Sequence, residues 1–432
     1  IHEKMHRRLL PLRRLRSLAW RNPHGVSARG SAAVAKATAL ARGNSGDAEL
    51  SVLAEDGSTL EPLQLRELLS SFAQASTHVP ETLWTGLAVA VPRALEELNA
   101  MQVVHLALLM SSLSLREPPE VLQEVAVQLE HRASDLPAPG LVGAVVALSQ
   151  LGPWPFEPPP GGPLINALEG CVLELPPGQL SGLALSAATL QHEMPVFWQQ
   201  VHGGLLACAK DLSPRQMADV FLALATHQMC PVTLLEELHS RLPVELHELH
   251  ADEALTIAWA MVAMRFSKSG HLLPLLDLAL AAKDSFTVQE IHQLQQIILS
   301  LEQEVSGSAP KRFDPWLMEE LSHGQVAEAI LEEVCTHLEE EGVPYSLNET
   351  VEDFYHLDLA VQGEAVLVLD ATTLSTAEAP RSAWITLKCR HLKHLGWHVE
   401  WLPLRRWEVM EKEERAALIE RLIGRDKKIG EK

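Results

Sequence analysis

Lys388, Arg390 and Lys393 fall within one short stretch of helical periodicity, with His391 and His394 beside them. Cations grouped in this way can contact a nucleic-acid backbone, because each neutralised phosphate releases counterions and adds affinity. Arg405-Arg406 would extend the patch. The competing reading is the solvated side of an amphipathic helix whose buried side is Leu387, Leu392 and Leu395. Trp384, Trp397, Trp401 and Trp407 crowd the same region. Stacking on exposed bases is one use for them. Core packing is the other, and it suits Trp397 and Trp407, which punctuate secondary structure. His247 and His250 have helical spacing for a metal pair but no third ligand, which reads as surface. The thiols Cys171, Cys208, Cys230, Cys335 and Cys389 form no CxxC pair, so they point to a reducing compartment and buried cysteines. No glycine-rich phosphate loop and no nucleophile–base arrangement is present, and the expectation is that the protein uses no cofactor.

The charge is strongly segregated. Residues 1–46 hold ten Lys/Arg against one acid, Glu3, whereas 47–310 hold ten bases against 31 acids. Residues 311–380 hold two bases against 16 acids, and 381–432 reverse the sign with 13 against eight. An Arg-rich, Ser-containing, acid-poor segment reads as an organelle transit peptide or its remnant; a retained basic arm on RNA and a plain tail are the alternatives. An acidic array repels a polyanion over much of its area. Either Arg93, Arg132, Arg215, Arg241 and Arg265 line one face, or the array mainly grips protein. No window of about 18 uninterrupted apolar residues exists, so no membrane insertion is expected.

Elements that position these groups are legible from a repeat. Leu212-Ser-Pro-Arg-Gln-Met217 is its clearest copy, and the copies open at Leu60, Leu98, Leu136, Leu175, Leu212, Leu249 and Phe286. A period of 37–39 held over seven copies marks a stacked array. Each copy also reads as a helix start: Ser213 caps, Pro214 suits the first position, and Gln216 completes a capping box. Asn99 to Gln102 and Thr287 to Glu290 repeat that logic. Met217, Val220, Phe221 and Leu224 form one apolar stripe. A break at Met229-Cys-Pro231 precedes a second helix carrying Leu235, Leu238 and Leu242. A hydrophobic share of 47% is ample for such a core, and neighbouring helix pairs must stack to bury their faces. The prediction is about seven helix pairs over 47–310, with 1–46 a basic extension. Pro153 to Pro163 is a proline-rich connector, and Asp47 to Ser58 is too polar to join the stack.

A helical connector over 311–349, rich in Glu332, Glu333, Glu339, Glu340 and Glu341, leads to a separate α/β unit over 350–432. Phe354 to Val361 and Ala365 to Leu369 read as paired strands joined at Gln362-Gly363. A helix from Ala383 to Leu395 stops at Gly396, Trp397 to Leu402 is a third strand, and Glu411 to Ile423 a closing helix.

From about Ser322 to Gly424 these residues resemble the RAP domain, a module named for RNA binding and its abundance in apicomplexans. The likeness rests on Tyr355-His-Leu-Asp358-Leu-Ala, the strand ending in Asp370, Leu387-Lys-Cys-Arg-His-Leu-Lys-His-Leu-Gly-Trp397, and Trp407. The repeats are similar to the octotricopeptide, heptatricopeptide and FAST-kinase-like helical pairs that often precede it. The resemblance implies organelle RNA work and an α/β core remotely related to the PD-(D/E)xK nuclease fold. It places Asp358 and Asp370 at two carboxylate positions of that fold and offers Lys388 as its lysine. Such a nuclease holds a hard divalent cation between clustered carboxylates. Here Val368 replaces the family's acid two residues before the second aspartate, and Ala371-Thr372 replaces Gly-Pro. The implied protein is therefore a non-catalytic, RNA-associated component of a mitochondrion, or alternatively a plastid, with a mitochondrial ribosome or a transcript as its setting and no metal. RNA would meet the C-terminal unit and the basic arm, and protein partners the acidic array. A protein scaffold and a metal-dependent RNA endonuclease are the alternatives. A fragment from about 311 is then expected to bind RNA measurably, and a 50–305 fragment poorly.

Overall fold

The computed structural model describes residues 60–424 apart from 76–78, 116–117, 153, 155–159, 193, 268, 305–324, 353–354 and 371–382. The basic segment 1–46, Asp47 to Ser58 and most of the proline-rich connector lie outside the described residues.

Helices dominate. The first repeat holds α1 (Pro62–Ala75), α2 (Glu81–Ala88) and α3 (Val91–Glu97), and the second α4 (Ala100–Ser112) and α5 (Pro119–His131). The third and fourth hold α6 (Ala138–Leu151), α7 (Gly162–Leu168), α8 (Pro177–Thr189) and α9 (Pro195–Ala207). The fifth and sixth hold α10 (Pro214–Thr226), α11 (Val232–Glu245), α12 (Ala251–Ala263) and α13 (Leu272–Ala281), and α14 (Val288–Glu304) opens the seventh. The helices α1, α4, α6, α8, α10, α12 and α14 each begin two residues after one of the seven repeat openings. Six repeats carry a second helix among the described residues; that of the seventh would fall in 305–324.

The capping chemistry explains this regularity. Gln102 N–H donates to Asn99 Oδ1 and Asn99 N–H to Gln102 Oε1, both at 3.0 Å. Ser213 with Gln216 and Thr287 with Glu290 close the same reciprocal box. The helix ends are less obvious from sequence. Ser114, Gln191, Gln228 and Arg265 take positive φ of 57°, 57°, 54° and 68°. Each sits inside a Schellman turn, closed by Leu115 N–H on Met110 O, His192 on Ala187, Met229 on Leu224 and Phe266 on Met261. None is glycine, so each bears a steric cost of about 1 kcal/mol that the bonded turn offsets.

Two compact units divide the described residues, one ending at Gly204 and one beginning at Leu205. In the first, α1 packs on α4, α4 on α6, and α6 on α8. Leu106, Met110, Val145, Leu148 and Leu183 are fully buried there. In the second, α10, α12 and α14 pack in the same succession.

The second unit also contains the sheet. It is built from α15 (Gln325–Glu340), β1 (Tyr345–Val351), β2 (Tyr355–Val361), β3 (Ala365–Asp370), α16 (Ala383–His394), β4 (His398–Pro403), α17 (Leu404–Val409) and α18 (Lys412–Leu422). Strand order is β1-β2-β3-β4, antiparallel except for the parallel β3–β4 pair that α16 connects. The β2–β3 turn uses positive φ at Gln362 and Gly363 (55° and 71°), with Glu364 N–H returning to Val361 O. Every residue of β3 is buried, because both faces of the sheet are covered. Leu359, Val361, Leu367 and Leu369 face α15 and α18, while Leu357, Val366 and Val368 pack with Ile385, Cys389 and Leu392 of α16 and with Leu299 of α14.

Three expectations need correction. The α/β unit is not separate from the repeats: α16 packs on α10, α12 and α14 within one compact unit. The stretch 311–349 is not merely a connector, since Ala327, Ile330, Val334 and Leu338 of α15 supply part of the sheet's core. The sheet also starts earlier than predicted, with β1, whose polar, exposed Ser346–Thr350 interior lacks the apolar alternation of a half-buried strand.

Candidate functional site

The cationic helix divides by direction. On α16 only Lys393 and His394 of the five candidates are exposed. Arg390 turns inward: its Nη2 donates to Val262 O at 2.8 Å, and its Nε lies 3.0 Å from the Glu304 carboxylate. Those contacts cap the end of α12 and leave the Arg390 side chain 10% exposed. Lys388 is half-buried and donates from Nζ to His356 O at 2.7 Å. Arg406 is half-buried, and the Arg405 side chain lies outside the described set. The five cations and imidazoles thus do not make one phosphate-facing surface.

His391 is fully buried at the centre of a hydrogen-bonded relay. Trp259 Nε1 of α12 donates to Gln296 Oε1 of α14 at 2.7 Å, and Gln296 Nε2 donates to the Tyr355 hydroxyl at 3.2 Å. The Tyr355 hydroxyl lies 2.7 Å from His391 Nδ1, and His391 Nε2 lies 2.5 Å from Ser300 Oγ, which donates to Gln296 O at 2.9 Å. Since Ser300 spends its proton on the carbonyl, His391 Nε2 must be the donor to Ser300. Its Nδ1 then accepts from Tyr355. Every direction is satisfied by a neutral imidazole protonated on Nε2. Burial first, then Arg390 and His394, lowers the His391 pKa to about 3. Burial likewise pushes the Tyr355 hydroxyl well above its usual range. Beside the relay, Trp384 stacks on Trp259 with centroids 6.3 Å apart and meets His292 edge-on at 4.3 Å.

The nuclease-like positions also have structural employment. The β2–β3 ladder pairs Leu359–Val361 with Ala365–Leu367 and stops there. Beyond it, buried Asp358 accepts the Leu369 N–H on Oδ2 at 2.8 Å, standing in for a ladder carbonyl. Asp370, at 0% exposure, accepts the Trp401 indole N–H at 3.2 Å. The Cys389 thiol feels both carboxylates and Lys388; burial foremost raises its pKa to about 11. Among the described residues no three His, Cys, Asp or Glu side chains gather as a metal-ligand set. Asp358→Ala, which orphans a buried N–H, is expected to cost about 1–3 kcal/mol in chemical denaturation, and Asp358→Asn distinctly less because an acceptor survives.

None of the four C-terminal tryptophans is exposed: Trp407 is buried, and Trp384, Trp397 and Trp401 are half-buried. Trp407 donates to Glu333 at 3.2 Å under the Arg415 guanidinium, whose carbon lies 4.8 Å from the ring centroid. His250 is an exposed helix-capping residue whose N–H reaches Glu253 at 3.0 Å, and His247 lies 3.6 Å from Glu248. Arg132 and Arg241 bond the carbonyls of Leu98 and Leu212, and Arg93 pairs with Glu97. These arginines therefore do not form a free basic lining. No membrane-spanning helix is found among the described residues. The sequence reading missed Gln296, Ser300 and Tyr355 as partners of α16. The available signal was the repeat itself, since Gln296 and Ser300 stand 37 residues after Trp259 and Ala263. Neither a family model nor a curated protein sequence matches the chain.

Proposed function

We propose that this is a non-catalytic, RNA-associated organelle protein, mitochondrial in preference to plastid, in which residues 345–424 form a RAP-like module on a degenerate PD-(D/E)xK core. The observation that carries the non-catalytic reading is the employment of Asp358 and Asp370, each buried and bonded to a neighbouring strand. A hydrolase needs its carboxylates turned to a metal and a phosphate. The RNA reading draws on the 387–397 resemblance and on Lys393 and His394, which are exposed at the end of α16. RNA on the basic N-terminal arm belongs to the same reading.

A protein scaffold is the second reading, and one observation favours it: Arg132 and Arg241 are consumed on backbone carbonyls within an array rich in acids. Co-sedimentation of the native protein from purified organelles, before and after ribonuclease treatment, separates the two. An RNA-associated protein leaves its complex on treatment; a scaffold stays. Asp370→Asn is expected to leave that association intact. A magnesium- or manganese-dependent cleavage of RNA that this substitution abolishes would replace both readings by the endonuclease.

A further inference from the structure

Residues 254–276 and 381–399 contain no Asp or Glu, in a chain whose net charge is -21. Between them they hold Arg265, Lys268, Arg381, Lys388, Arg390 and Lys393. The two stretches meet where α16 packs on the end of α12. There the Val262 carbonyl accepts both the Arg265 N–H at 3.0 Å and Arg390 Nη2 at 2.8 Å. Glu304 reaches the same junction from α14 and is spent on Arg390 and the Ser267 hydroxyl. Arg265 is exposed, as is Lys393 one helical turn beyond Arg390. Neither side chain meets a carboxylate or a hydrogen-bond acceptor among the described residues. The repeat sharpens the contrast. Ser114, Gln191, Gln228 and Arg265 occupy one register position, each with positive φ at the end of a first helix. Gln228 uses that position to hold α16, donating to Thr386 Oγ1 at 2.8 Å. One repeat later the same position carries a cation that holds nothing.

From this junction we infer that Arg265 and Lys393 form a two-cation site for neighbouring phosphates of a single-stranded RNA, so that the strand passes from α16 onto the end of α12. The inference rests on the RNA reading above and extends it from the α/β module to the repeats. Cations gathered without acids repel one another. Burial lowers the Arg390 pKa first, and against the opposing pull of Glu304 the Arg265 charge lowers it further. A polyanion arriving from solvent relieves that repulsion. Arg265 and Lys393 are free to follow a flexible backbone, whereas Lys388 and Arg390 are held by the His356 and Val262 carbonyls. The acids of the remaining array repel the strand and confine it to the junction.

The test uses the full chain and a labelled oligouridine, titrated at several salt concentrations. Gln191 and Gln228 show that glutamine takes the Arg265 backbone conformation, so Arg265→Gln keeps the turn while removing the charge. Lys393→Gln removes the charge on α16. Arg93→Gln, on α3, removes an equal charge from an arginine already paired with Glu97 and serves as the control. Binding by the wild type is expected, weakened about threefold or more by each of the first two substitutions and less than about twofold by the third. The salt slope should also flatten by about 0.7 for each of Arg265→Gln and Lys393→Gln. No binding by the wild type overturns the RNA reading and the site with it. Wild-type binding that Arg265→Gln leaves unchanged, or that Arg93→Gln weakens equally, overturns the site alone. So does a labelled oligoglutamate that loses affinity with Arg265→Gln and Lys393→Gln while the oligouridine does not, which would make the junction a surface for an acidic protein segment.

Discussion

Replacing Arg390 by alanine is expected to lower stability by about 3–5 kcal/mol, whereas Lys393→Ala on the same helix should cost less than about 0.5 kcal/mol. The contrast follows from direction. The Arg390 and Glu304 side chains are 10% and 17% exposed, and the guanidinium also bonds the last carbonyls of α12. Truncation leaves Glu304 and those carbonyls without their cation inside the interface. Lys393 is solvated, and its removal orphans nothing. Urea denaturation of the RNA-free protein reads the difference, and the Arg390 effect should change little with salt because buried pairs are poorly screened. Equal and small losses for the two variants would return Arg390 to the surface as a phosphate contact. Replacing Lys388, Arg390 and Lys393 together by alanine would therefore not isolate RNA affinity, since Arg390 holds the fold.

Acid should weaken the same interface through His391. The sign is set by its lowered pKa, about 3 in the folded protein against about 6.5 in an unfolded chain. Above pH 6.5 both states are neutral at this residue, and its contribution is fully present. As pH falls below that value the unfolded state takes a proton that the folded state refuses. Stability is then lost at about 1.4 kcal/mol per pH unit until the folded value is approached. His292 is buried and also lowered, so it adds in the same direction. His391→Gln keeps an acceptor and a donor for Tyr355 and Ser300 but cannot titrate. Its unfolding free energy, measured by urea titration from pH 7 to 4, should fall less steeply than wild type by about one proton's worth of slope. Parallel slopes would mean that His391 is solvated and the relay open.

These two residues also decide how the chain can be divided. A cut near 311 separates Arg390 from Glu304 and the α12 carbonyls, and His391 from Ser300. Fragments divided there would expose Tyr355, Leu357 and Trp259, so their RNA affinities would not report on the parts of the intact protein. Substitutions in the full chain carry that information without opening the interface.

What the sequence determined by itself was local and periodic. Seven helix starts, three reciprocal capping boxes and the Gln362-Gly363 turn all rest on residues within a few positions of one another. Their chemistry is complete without the rest of the chain. Strands β2, β3 and β4 and helices α16 and α18 were legible for the same reason, from runs of apolar residues and the glycine stop at 396. The polar strand β1 was not, because its membership depends on pairing with β2 and not on any pattern of its own. The direction of α16's polar side chains was decided only by tertiary structure. A helix with Leu387 and Leu392 on one side must turn its other sides outward in isolation, so Arg390 and His391 read as solvent-facing. The docked repeats reverse this by offering α12's carbonyls, Glu304, Ser300 and Tyr355, groups distant in sequence, which satisfy a buried cation and a neutral imidazole at once. The fate of Asp358 has the same physical cause: a carboxylate is available for catalysis or committed to structure according to which N–H lies opposite it, and that partner, Leu369, is fixed by where the strand ladder ends.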